Sequence, residues 1–99
     1  MADELFFVRL IPPRADFSQT MTEAEQQVMR QHQSFWRELL AEGRVVVFGP
    51  VADPEGAWGL GVVRAESRVE VIEYCNVDPA VASGLMTFET FEIQGARTG

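Results

Sequence analysis

The stretch VMRQHQSFWRELL, residues 28–40, holds the only histidine of the chain. Imidazole is the side chain best suited to taking and returning a proton near neutral pH, so its setting decides what chemistry this sequence can carry. On a helix, with its residues about 100° apart, Val28, Leu39 and Trp36 span one arc, with Phe35, Met29 and Leu40 at the edges. His32 falls in the middle of that arc, which must press against a core. Such a histidine is either a neutral packing residue bonded to a carbonyl, or a base oriented by an acid with one nitrogen left free.

The other residues with chemical potential are few. Asp78-Pro79 is a helix-opening pair, with aspartate as cap and proline at the first helical position. A carboxylate has two oxygens, so capping leaves one able to orient an imidazole. Spacing alone does not bring it to His32. Arg9 reads first as paired with an acid on a neighbouring strand or snorkelling its head out of an interface, and second as a planar fork that clamps a substrate carboxylate. Trp58 shares a strand face with Leu60 and Val62, as packing or as a wall for a ligand. Gly59 and Gly61, on the opposite face, imply close approach of a backbone or helix. Their GLG lacks the strand-to-helix context of a dinucleotide loop.

One histidine and one cysteine make no zinc ligand set, and no serine or cysteine sits in a nucleophile motif. Cys75 reads as a small core residue. Glu89 and Glu92 lie on opposite faces of a strand and form no carboxylate pair. No cofactor is called for.

Ninety-nine residues at 46% hydrophobic content make a single domain, 1–99. Fifteen acids against eight bases, all arginine, give a net charge of −7. Such a chain repels phosphate backbones and anionic bilayers, so nucleic acid and membrane are poor partners. The lone cysteine fits a reducing compartment, and MADELFF has acids where a signal peptide needs bases. A cytoplasmic location is the expectation.

Residues 4–11, ELFFVRLI, read as a first strand ended by Pro12-Pro13, with RADFSQTM continuing as a loop. Thr22 through Glu25 form a capping box for a helix to about Glu42, and Gly43 suits the residue after its end. RVVVFG (44–49) and WGLGVVRA (58–65) are strands. SRVE (67–70) is a second capping box, opening a helix with Val69, Val71, Ile72 and Cys75. Asp78-Pro79 starts a short turn that Gly84 closes, and LMTFETFEIQ (85–94) is a last strand. The order β-α-β-β-α-β is the ferredoxin-like α+β pattern: a four-stranded antiparallel sheet with both helices on one face. The first strand is apolar on both faces. The uncovered face therefore calls for a second copy of the chain, a homodimer with Arg9 projecting into the space between the sheets.

The landmarks HQSFWRELLAEGRVVVFGP (32–50) and DPAVASG (78–84), in this order and separation, resemble the YCII-related (YciI-like) family. The resemblance covers nearly the whole chain; the long PPRADFSQT loop departs from the pattern. It implies a dimeric α/β barrel of ferredoxin-like subunits and a His–Asp pair falling on His32 and Asp78. The reading that follows is a cofactor-free acid/base enzyme of isomerase, lyase or hydrolase type. Its substrate is a small, anionic or ring-containing molecule, and Arg9 and Trp58 are the substrate-binding candidates. The alternatives are a non-catalytic small-molecule-binding or protein-interaction module, and a dimer with a purely structural purpose.

Overall fold

The computed structural model describes residues 4–98. Residues 1–3 and 99 of the expected domain, with the start of MADELFF, lie outside the described residues. The elements run β1 (Glu4–Ile11), α1 (Phe17–Thr20), α2 (Glu23–Ala41), β2 (Val45–Val51), β3 (Trp58–Ala65), α3 (Arg68–Val77), α4 (Pro79–Ala82) and β4 (Thr87–Glu92). The strands pair in the order β2-β3-β1-β4, every pair antiparallel. This is the ferredoxin-like α+β arrangement, with two single-turn helices added. No helix of the described residues is long and apolar enough to cross a membrane.

Strand alternation sorts β1 between two environments. Phe6, Val8 and Leu10 are buried under the helices, while Phe7, Arg9 and Ile11 on the other face are only half-buried. Thr22 and Glu25 close the reciprocal capping box of α2, and Gly43 takes φ +79 just beyond its end. The inward arc of α2 is His32, Trp36 and Leu39, with Val28, Met29 and Phe35 packed around it. Leu40 sits further out than expected, 43% exposed.

Three local expectations need correction. Residues 17–20 form α1 rather than loop, because Phe17 is buried there and Arg14 ties the turn down. The Arg14 fork donates to both oxygens of Glu25, at 3.0 and 2.7 Å, and to Thr20. Tertiary contacts, not propensity, stabilise so short a helix. The Ser67 box is half formed: Ser67 accepts from the Glu70 N–H, but the Glu70 carboxylate accepts from Glu66 N–H instead of closing on Ser67. Finally, β2 runs through Gly49-Pro50 to Val51. It is an edge strand, where a proline costs the ladder no needed donor.

Gly61 shows why β3 is notched. A Cβ added there would lie 2.8 Å from Trp36 Cζ3 and 2.9 Å from Cη2. The indole of α2 thus packs directly onto the strand backbone, and being 1% exposed it has nowhere to retreat. Gly61→Ala should lower unfolding free energy by about 1–3 kcal/mol through this overlap. Gly49→Ala, where nothing lies within 4 Å, is the near-neutral control. Urea unfolding of the two variants checks the pair.

Candidate functional site

Asp78 sits where α3 hands over to α4. It ends α3 with an extended backbone (φ −59, ψ 127) and caps α4, with Pro79 at the first helical position. Its side chain is 0% exposed. Burying a carboxylate is costly unless every lone pair finds a donor, and here three N–H groups converge. Asp78 Oδ1 accepts from the Ala80 N–H at 2.9 Å. Oδ2 accepts from Trp36 Nε1–H at 2.7 Å. His32 Nδ1 lies 3.0 Å from Oδ1 and 2.8 Å from Oδ2. One carboxylate therefore ties α2 to the α3–α4 junction, capping and orienting at once.

The same burial governs Cys75, one helical turn before Asp78. Its thiol is pushed up to about 12, by desolvation first and by the Asp78 charge second. Such a thiol stays protonated and chemically quiet.

The His32 side chain is 11% exposed. Its Nε2 has no hydrogen-bond partner among the described residues, and its ring contributes to the wall of a cavity of about 420 Å³. Phe17 and Met21 close that cavity from the β1–α2 segment, Met29 and Trp36 from α2, and Phe48 and Trp58 from the sheet. The long PPRADFSQT segment thus walls the hollow. The Arg14 guanidinium holds that wall to α2, and its hydrogen bonds keep the Glu25 carboxyl down at about 2, aided by the Thr22 N–H. The clamp therefore persists through neutral and mildly acidic pH.

The candidate residues divide in space. Trp58 lines the His32 cavity, its Nε1–H donating to Asp53 Oδ2 at 2.9 Å. The Glu55 N–H and this indole hold the Asp53 carboxyl below its usual range. Arg9 lies on the uncovered face, outside the cavity lining. Its guanidinium sits 5.0 Å from the Trp58 ring centroid and 3.7 Å from Glu89 Oε1. That is the cross-strand pairing weighed against a substrate clamp. Sequence reasoning assigned Trp36 only to packing and missed its bond to Asp78. Two signals pointed there: Trp36 is one turn from His32 on the same arc, and a buried indole N–H must find an acceptor.

Trp36→Phe leaves the carboxylate one donor short. The loss should be at least about 1–3 kcal/mol of unfolding free energy, measured in urea; native-like stability would mean that the bond contributes nothing.

The YCII-related domain matches residues 5–93. The Uncharacterized protein YjpA of Bacillus subtilis (strain 168) is 43% identical over 53 residues, 54% of this chain and 60% of that protein. The match thus spans less than two thirds of that relative's length. Among solved structures, 5-chloro-2-hydroxyhydroquinone dehydrochlorinase (TftG) from Burkholderia phenoliruptrix AC1100, in complex with 2,5-dihydroxybenzoquinone, superposes with a TM-score of 0.65. At 18% identity it covers 92% of this chain and 95% of its own, a likeness of fold. With the domain pattern matched from Leu5 to Ile93, the chain belongs to the YCII-related family.

Proposed function

We propose that this chain is a cofactor-free proton-transfer enzyme acting on a small molecule in the His32 cavity. His32 is its general acid/base and Asp78 its orienting partner. The observation that carries this reading is the pairing of His32 Nδ1 with a fully buried carboxylate, at 2.8 Å, on a ring that also walls a cavity.

The chemistry follows from the hydrogen bonds. The Trp36 and Ala80 N–H groups can only donate, so both Asp78 oxygens act as acceptors. The proton shared with His32 then belongs on Nδ1, leaving the Nε2 lone pair free to take a proton from a bound substrate. The imidazolium formed is stabilised by the carboxylate behind it. It returns its proton to a leaving group in elimination or to another carbon in isomerisation; in hydrolysis the proton is taken instead from an attacking water admitted with the substrate and is returned to the departing oxygen. Apolar walls keep bulk water out during the transfer. TftG, of the same fold, is a dehydrochlorinase, which favours elimination among the three. A non-catalytic binding module is the competing reading.

The open sheet face belongs to the same proposal. Phe7 packs edge-on against Trp58 and stacks on Phe91, both ring pairs 6.0 Å apart. Phe91 is 50% and Val47 47% exposed. A second copy of the chain covers this face in a homodimer, as the opposed sheets of a dimeric barrel do. Sedimentation should give a dimer for the native chain and a folded monomer for Phe91→Glu; a native monomer contradicts this assembly.

Once a substrate is found, His32→Ala should lower kcat by roughly 10²–10⁴ with circular dichroism unchanged. Unchanged turnover in that variant would remove His32 from the catalytic role, whereas a native chain that binds small molecules and turns none over would leave the binding module as the reading.

A further inference from the structure

We infer that Arg37 makes the His32 cavity selective for anions. Its ligand is a small flat acid whose carboxylate or ionised phenol lies at Arg37 while its ring rests on the apolar walls. The inference deepens the function proposed above and rests on that use of the cavity.

The first observation is about charge. Among the described residues no acid lines this cavity, and the only permanently charged side chain that does is Arg37. In a chain of net charge −7 the one cation lining the cavity offsets the Asp78 and Asp53 carboxylates, which lie one hydrogen bond behind the wall at His32, Trp36 and Trp58. Arg37 is also uncommitted. Arg9, Arg14 and Arg44 pair with Glu89, Glu25 and Glu42. Arg37 has no ion pair or hydrogen bond among the described residues, although its fork is suited to gripping a planar carboxylate.

The second observation concerns where unassigned polar groups lie. Both cavity indoles are committed, Trp36 to Asp78 and Trp58 to Asp53. The side chains left to meet a ligand are Ser18, His32, Gln33 and Arg37, all on α1 and α2. The remaining wall is thioether, aromatic and aliphatic, including Met29, Met86 and Phe48, a lining that adapts to flat rings. A volume of about 420 Å³ lies near the lower end of the ligand-site range and suits a molecule of roughly one or two rings. His32 and Arg37 are five residues apart, about 7.5 Å along the helix. They are also about 140° apart round the helix, and Arg37 is exposed where His32 is buried, so an anion gripped by Arg37 sits at the cavity rim with its ring directed inward toward His32.

The test is a binding measurement on the full chain at low salt, read by tryptophan fluorescence. The probes are 2-naphthoate, its neutral counterpart 2-naphthamide, and 2,4-dinitrophenolate. The acid should bind about tenfold or more tighter than the amide. Arg37→Gln should erase that preference and leave the amide unchanged. Whichever anionic probe loses more in Arg37→Gln identifies the group as carboxylate or phenolate. His32→Ala should keep the anion preference whatever happens to turnover, so this inference and the proposed catalysis fail separately. The inference is overturned by equal affinity for acid and amide, by a larger loss in Arg9→Gln than in Arg37→Gln, or by no saturable binding of either anionic probe.

Discussion

The structure turns on one buried carboxylate. Asp78 is fully enclosed, and an ionised group in that position costs several kcal/mol of desolvation unless the surroundings compensate it. Three N–H groups do so, from His32, Trp36 and Ala80. Two of them come from α2 and the third from the first turn of α4. The compensation is therefore also a tether between elements far apart in the chain. Removing one donor strands part of the charge, whereas a hydrophobic replacement of aspartate would leave an indole N–H, a peptide N–H and an imidazole searching for acceptors.

The cavity follows from that tether. The indole of Trp36, while bonded to Asp78, also presses its six-membered ring against β3, where Gly61 has no side chain to obstruct it. With Trp36 held there, His32 has its Nδ1 occupied by Asp78 and is itself one of the residues lining the hollow. The β1–α2 segment closes the remaining side, with Phe17 driven inward and Arg14 locked to Glu25. Backbone notch, indole, carboxylate and imidazole form one continuous stack, from the sheet to the cavity wall.

Much of this was legible in the residues. The alternation of WGLGVVRA placed β3 at its observed bounds, and the Thr22–Glu25 box with Gly43 bracketed α2 closely. The glycines of β3 announced a close approach, though not that an indole would make it. Local signals failed where the decisive contact was distant. Helix α1 depends on Phe17 burial and on Arg14 reaching eleven residues ahead to Glu25; no run of residues 14–20 encodes that. The Trp36–Asp78 bond spans forty-two residues, and helical periodicity assigned Trp36 only to packing. Strand β2 passes through Gly-Pro because it is an edge, a property of the sheet and not of the segment. Arg9 lies on the uncovered face against the outer side of Trp58, and the cavity that Trp58 lines takes its cation from Arg37 instead.

The His32–Asp78 pairing fixes the protonation of a single ring, and long-range ¹⁵N–¹H correlation spectra of ¹⁵N-labelled histidine report that state directly. The neutral side chain should carry its proton on Nδ1, with Nε2 showing the shift of a bare, unprotonated nitrogen. A spectrum with Nε2 protonated and Nδ1 bare would mean that Asp78 does not hold the imidazole by its Nδ1–H, and the proposed role of His32 as a base would be lost.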